Sequence, residues 1–381
     1  MTTQSARPLR VAYLIQNLNY GGMEQVLHNL AQGLPSAGFD VHIVVLQYLG
    51  RFSEGLEERV ALHQVPPMSR WWSFLHPKAL ITTLRAIAPD VVHSHAGVWF
   101  KSARAARAAN VAAMVHTEHG RPDPVPLADR LIDNTASRWT DRVIAVSAPL
   151  AEVLRTQVVH DPSTVQVITN GVDVDRLRPG EDQGAVRRAL DLPPDAPIIG
   201  SIGRLEPIKN YQLALRALAR LREIASPAQA PFLVLAGDGS ERAELVALAR
   251  KLGVDGRVKF LGWRNDPDRL YRCFDVFTLP SLSEGTSISL LESMSTGVCP
   301  AVTDVGGNRA TLGPDLSSLL VPSNDVEGLA RLWWRLLRDP VERAQMGRLA
   351  RTRVVEHFSV RRMVDGHVTL YRELLERGAN S

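Results

Sequence analysis

Cysteine is almost missing from this chain: its 381 residues include two, Cys273 and Cys299. Two thiols cannot build a disulfide framework or a multi-cysteine zinc cluster, and such sparing use fits a reducing compartment. Long apolar runs are missing as well. The first, Val11 to Ile15, stops at Gln16, too short for the core of a signal peptide. Nowhere do the roughly 18 consecutive apolar residues of a membrane span occur. Charge is not concentrated either: 44 Lys and Arg face 40 Asp and Glu, a net +4 spread over both halves. No basic block advertises a nucleic-acid groove, so no nucleic-acid partner is expected. Low-complexity tracts and short-period repeats are absent too. With 45% hydrophobic and 22% charged side chains the composition is that of a globular protein. At roughly 100–200 residues per domain the length suggests two domains. These absences place the chain in the cytoplasm, at most peripheral on the inner face of a membrane.

What is present is a regular alternation. Short runs rich in Val and Ile occur at Val11–Gln16, Val41–Leu46, Asp90–His93, Val111–Val115, Arg142–Val146 and Val165–Ile168. They resume at Ile198–Ile202, Phe232–Ala236, Val258–Leu261, Val276–Leu279, Val298–Val302 and Leu319–Val321. Runs of this kind read as parallel strands with both faces covered. Between them lie helical patterns such as Gln212–Ile224, with leucines at 213, 215, 218 and 221 on one side. The fold class is therefore α/β, with two doubly wound Rossmann-like domains. A polar, proline-rich stretch, Arg176 to Pro197, reads as the hinge and a short helix opening the second domain. Sheets of this class bind ligands at their strand C-terminal ends, which points to a shared cleft.

The segment from Ser283 to Asn308 is the most informative. Glu284 follows the strand Val276–Leu279 and its Pro280 turn, and Gly285, Thr286 and Ser287 are expected to open a helix. A helix start offers free N–H groups to phosphate or electron-rich oxygens. Glu284 would stand at the helix mouth and Glu292 about two turns in, a pair suited to a ligand with hydroxyls at both ends, such as a nucleotide sugar. Arg204 and Lys209 follow a buried strand and would supply a bidentate guanidinium and a compact ammonium to a diphosphate. Gly21 and Gly22 let a strand-to-helix loop approach a ligand closely.

The chain resembles the family 4 retaining glycosyltransferases, which have the two-domain GT-B fold, over nearly its whole length. Glu284 to Glu292 looks like the family's E-x7-E motif, and Gly21-Gly22-Met23-Glu24 resembles its GGxE loop. Asn170-Gly171-Val172-Asp173 resembles its NGVD signature at the domain border. Gly203-Arg204-Leu205 with Lys209-Asn210 resembles its phosphate-binding element, and Gly237-Asp238-Gly239 its GxG turn. The resemblance implies an acceptor-binding domain at 1–180, a nucleotide-sugar-binding domain at 181–358, and a C-terminal helix, 359–381, returning to the first. It puts His119 against the donor sugar near its reacting carbon, with His116 a nearby competitor. It assigns Glu292 to the ribose hydroxyls and Gly21, Gly22 and Glu24 to the acceptor and diphosphate. One departure stands out: where the family often has Glu after the VGGN turn, Asn308 is followed by Arg309 and Ala310.

The implied activity is transfer of a sugar from a nucleotide donor to a hydroxyl of a glycan or lipid-linked acceptor, with retention and without a cofactor. No metal is expected: Asp173-Val174-Asp175 reads as DxD but sits at the domain border, and cations already serve the phosphates. His93 and His95 flank Ser94; a metal would need a third ligand of recognisable spacing, so packing or acceptor contacts are preferred. Arg70-Trp71-Trp72-Ser73-Phe74 with Lys78, and Lys101, Arg104 and Arg107 on one helix, suit a lipid interface or lipid-linked acceptor, or equally an acceptor-pocket lid or ordinary core aromatics with a solvated helix face. The rival readings are a nucleotide-sugar epimerase of the same fold and a non-catalytic sugar-nucleotide binder. A dehydrogenase is weaker still, since Gly21-Gly22 does not fit G-x-G-x-x-G.

Overall fold

The computed structural model describes residues 7–19, 21–53, 56, 60–66, 75–121, 124–180, 183–225 and 230–379. The chain divides into two units, one of Met1–Gly171 with Val360–Ser381, the other Val172–Ser359.

The first unit is built on a parallel sheet ordered β3-β2-β1-β4-β5-β6-β7. Its strands are β1 (Leu9–Asn17), β2 (Phe39–Tyr48), β3 (Ala61–Gln64), β4 (Val91–His95), β5 (Ala113–Glu118), β6 (Arg142–Ala145) and β7 (Val165–Val167). Val11 pairs with Val41 on one side and Val91 on the other. The core of β1, Val11 to Ile15, is wholly buried, as a strand with helices on both faces must be. The edge strand β3 escaped the sequence reading: Ala-Leu-His-Gln contains no β-branched residue and is exposed or half-buried throughout. β4 and β5 run further than expected, to His95 and Glu118, which brings His95, His116 and Glu118 inside the sheet.

The second unit carries a parallel sheet ordered β10-β9-β8-β11-β12-β13. Its strands are β8 (Ile198–Ile202), β9 (Phe232–Ala236), β10 (Val258–Gly262), β11 (Val276–Leu279), β12 (Cys299–Thr303) and β13 (Leu320–Val321). The helix Tyr211–Ile224 buries Leu213, Leu215, Leu218 and Leu221. In each unit the strand order turns back beside the first strand, between β1 and β4 and between β8 and β11. Such switch points leave a crevice at the strand C-terminal ends.

One boundary differs from the sequence reading. The units part at Gly171/Val172, not at 180, because Val172 donates its N–H to Phe358 O at 2.9 Å and so belongs with the second unit. The helix Val360–Ala379 belongs to the first unit, where it buries Met363, Val364, His367, Leu370 and Tyr371. Among the described residues no helix is long and apolar enough to cross a membrane.

Candidate active site

In the second unit, two loops at strand C-terminal ends are locked together by their backbones. After β8, the amides of Gly203 and Leu205 donate to Ala236 O and Asp238 O at 3.0 and 2.9 Å. Gly237 has φ +136°, and a Cβ there would lie 1.9 Å from Gly203 O. Only glycine permits that approach. The lock holds Arg204 exposed, with no ion pair among the described residues, while Lys209 ends the short turn Pro207–Lys209.

Lys209 Nζ donates to Glu284 Oε1 at 2.7 Å, and Ser281 Oγ donates to the same oxygen at 2.6 Å. Glu284 Oε2 accepts no hydrogen bond among the described residues. The side chain of Glu284 is only 8% exposed, so this carboxylate is held in place before any ligand arrives. Its backbone is held too. Gly307 N–H donates to Glu284 O at 3.1 Å, and Gly306, at φ +49°, passes so close that a Cβ would stand 1.8 Å from that oxygen. The VGGN turn thus serves to seat the Glu284 loop.

The helix here is Ile288–Ser295, with Ser287 as its N-cap accepting from Leu290 N–H. Gly285 and Thr286 therefore belong to the entering loop and do not open the helix, and Glu292 lies one turn in, not two. Thr286 and Ser287 are buried. Glu292 is 7% exposed, and its Oε2 accepts the Tyr271 hydroxyl at 2.8 Å. Burial pushes its carboxyl up to about 7, while the Tyr271 hydrogen bond and the charge of Arg176 pull the other way. Tyr271, on the helix Pro267–Cys273, and Ser281 were not found from the sequence, which carries no pattern marking either.

In the first unit, the helix Gly22–Gly33 follows β1 with Gly21 as its N-cap. Gly21 is extended, at φ −170°, so backbone geometry does not demand glycine. The demand comes from Glu24, buried in the first turn, whose Oε2 lies 2.5 Å from where a Cβ on residue 21 would stand. Gly22 is exposed as the first helical residue.

His119 stands just past β5 and is half-buried. Its Nε2 lies 2.8 Å from Nδ1 of His95, the rings stacked at 5.1 Å and 22°. Burial drives its pKa down to about 4, against the pull of Glu118, so the ring is neutral at pH 7. Glu118 accepts from the His119 backbone N–H at 3.0 Å and from Arg121 Nε at 2.5 Å. Burial disfavours its charge, yet the neighbouring His116 and Arg121 outweigh this and hold it near 2. Arg121 also pairs with Asp133 at 2.6 Å. His116 is buried, bonded through Nδ1 to Ser94 Oγ at 2.9 Å and stacked on Trp99. It is a core residue, as a strand-interior position dictates.

Asp173 Oδ1 accepts the amides of Asp175 and Arg176 at 3.1 and 3.0 Å, so the DxD-like triplet folds into a turn. Lys101 and Arg104 are half-buried and Arg107 exposed on the helix Trp99–Ala108, opposite its buried Ser102, Ala103, Ala105 and Ala106. Arg70 to Phe74 lie outside the described residues.

Residues 20–176 match the model of Glycosyltransferase Family 4, and residues 182–353 match that of Glycosyl transferases group 1. A D-inositol 3-phosphate glycosyltransferase of Saccharomonospora viridis is 32% identical over 75% of this chain and 70% of its own. A UDP-Gal:alpha-D-GlcNAc-diphosphoundecaprenol alpha-1,3-galactosyltransferase of Escherichia coli is 28% identical over 93% of this chain and 94% of its own. Among solved structures, Anabaena HepE in complex with UDP and glucose superimposes with a TM-score of 0.85 at 21% identity, over 96% of this chain and 100% of that one. With two Rossmann-like sheets, both family models matched and relatives along its length, the chain belongs to the family 4 glycosyltransferases and is a glycosyltransferase, not an epimerase.

Proposed function

We propose that this glycosyltransferase moves a sugar from a nucleotide-sugar donor, with retention and without a metal, to a hydroxyl of a glycan or lipid-linked acceptor. The observation that carries the reading is the Ser281–Glu284–Lys209 cluster. One carboxylate oxygen is pinned by two donors, which leaves Oε2 to accept sugar hydroxyls and the ammonium within reach of a diphosphate. Arg204, which makes no ion pair among the described residues, adds an exposed guanidinium for phosphate oxygens. Glu292 offers Oε1 for ribose hydroxyls while Tyr271 holds Oε2. His119, neutral at pH 7, serves as a hydrogen-bonding group beside the sugar in the first unit.

Departure of a diphosphate requires its growing charge to be neutralised, which side-chain cations can do as a metal does. Arg204 and Lys209 supply that charge here, and Asp173 is engaged in its own turn. The relatives suggest the first pair to try: a UDP-hexose donor and a lipid-diphosphate acceptor. Lys101, Arg104 and Arg107 support a peripheral contact with an anionic surface carrying such an acceptor.

The test is turnover of the purified protein on a panel of nucleotide sugars with lipid-linked acceptors, with and without EDTA. Transfer that survives EDTA and falls at least about 10²-fold in Arg204→Ala and Lys209→Ala is expected. Loss in EDTA restored by Mg²⁺ or Mn²⁺ would overturn the metal-free reading.

A further inference from the structure

Behind His119 lies a group of rings that sugar transfer as described leaves unused. His93 and His95 are on β4, His116 on β5, Tyr13 on β1, and His367 and Tyr371 on the helix Val360–Ala379. All are buried. His95 is the middle ring of a stack, 4.6 Å from His93 and 5.1 Å from His119 by centroid, each at 22°. Tyr371 OH closes the far side, 2.5 Å from His93 Nδ1 and 2.9 Å from Tyr13 OH.

His95 Nδ1 and His119 Nε2, 2.8 Å apart, share a single proton between them. Both rings are neutral, because burial strongly disfavours the imidazolium at each. A neutral imidazole carries one N–H, so there are two arrangements. If His119 donated, His95 would bear its proton on Nε2, and that atom is buried with no partner among the described residues. If His95 donates, its Nε2 is a bare lone pair. A buried orphan N–H is the rarer of the two situations in folded proteins. The second arrangement leaves His119 with its proton on Nδ1, which makes no hydrogen bond among the described residues.

We propose that His95 is a positioning residue that clamps the His119 ring and fixes its proton on Nδ1, so that His119 meets its ligand as a single N–H donor and not as a base. The part concerning the ligand rests on the reading of His119 as lying beside the donor sugar. A donor of this kind suits a sugar hydroxyl or another oxygen, and it cannot take the acceptor's proton. The remaining charged and titratable groups facing His119 do not compete for Nδ1–H. Glu118 spends Oε1 on the backbone amide of His119 and Oε2 on Arg121, while His116 is tied to Ser94 and His367 Nδ1 to Met363 O at 2.8 Å.

The experiment is long-range ¹H–¹⁵N correlation of the full chain labelled with ¹⁵N-histidine, with His119 assigned through His119→Gln. The expected spectrum shows His119 as the Nδ1–H tautomer at pH 7 and still neutral near pH 5. His95→Phe keeps the ring stack but removes the donor. It should return His119 toward the Nε2–H form that free histidine prefers and lower kcat about tenfold or more, with the acceptor KM little changed. His95→Asn, whose amide can stand where Nδ1–H stands, should restore both the tautomer and most of kcat. A wild-type His119 seen as Nε2–H or as imidazolium, or a tautomer unmoved by His95→Phe, overturns the proposal. Should His119→Gln keep full turnover while the Nδ1–H tautomer is observed, the clamp stands and the placement of His119 beside the donor falls.

Discussion

Glu292 holds a carboxyl nearly out of water against one hydroxyl, and this sets a pH dependence whose sign is unusual for an acid. Its folded value of about 7 lies above its ordinary 4.5. Below about pH 4.5 both states are protonated and the burial carries no ionisation penalty. From there to about 7 the unfolded chain releases a proton that the folded chain keeps, so stability falls as pH rises and then levels off. The gap corresponds to roughly 3 kcal/mol as an upper figure. Glu292→Gln should flatten the urea-derived stability profile over that window, and an unchanged profile would place the ionisation elsewhere. If ribose hydroxyls donate to this carboxylate, they favour its charged form. Affinity for the nucleoside diphosphate product should then rise between about pH 6 and pH 8 in wild type and much less in Glu292→Gln, which calorimetry measures. Glu284 behaves differently, being already paired with Lys209. Glu284→Gln should lower kcat by about 10²-fold and also lower stability by about 1 kcal/mol, since it leaves the ammonium half-compensated. At this scale the sequence marked the groups proposed to meet a ligand, because those carry charge at a strand end. Tyr271, Ser281 and His95, which hold them, were invisible in that role: a buried tyrosine or serine has no sequence pattern separating a positioning contact from core packing.

The loops that carry these groups depend on close backbone passages more than on helix ends. Gly306 combines φ +49° with a Cβ position 1.8 Å from Glu284 O. An alanine there must adopt left-handed backbone and push the Glu284 loop outward, so Gly306→Ala should cost about 2 kcal/mol or more in thermal or urea unfolding. It should also lower kcat toward the level of Glu284→Gln. Retention of both would mean that the turn is not what seats the loop. Elements of this kind were partly legible. Buried strands such as β1, β8 and β11 announce themselves by unbroken Val and Ile, since both faces are dry. The edge strand β3 does not, being short and half-exposed. The helix start was misplaced because Gly285 and Thr286 favour an N-terminus equally well, and the choice fell to Ser287, whose hydroxyl accepts Leu290 N–H.

For the molecule as a whole, composition excluded a disulfide scaffold, and the alternating pattern produced the two sheets. The path of the chain between the units was harder to read. The polar, proline-rich stretch after Arg176 draws the eye as a border, yet the division falls at Gly171/Val172 and again at Ser359/Val360, where no composition shift marks it. Nor does the apolar stripe of the last helix say which sheet it covers. In the structure it lies in the first unit, where Met363 Sδ accepts Gly171 N–H at 3.2 Å and Val364 abuts Gly33. There Tyr371 OH also meets Tyr13 OH at 2.9 Å. The buried Met363, Val364, Leu370 and Tyr371 are each worth about 1.5–3 kcal/mol of burial, a sum comparable with the roughly 5–15 kcal/mol that stabilises a whole domain. A chain ending at Ser359 should therefore lose the first unit and keep the second. Limited proteolysis should digest residues before Val172 while a fragment from there to Ser359 resists. That fragment retains Arg204, Lys209, Glu284 and Glu292, so nucleoside diphosphate should still raise its melting temperature, even though transfer is abolished. Equal protease resistance of both units after the truncation would show that the first unit is stable without the returning helix.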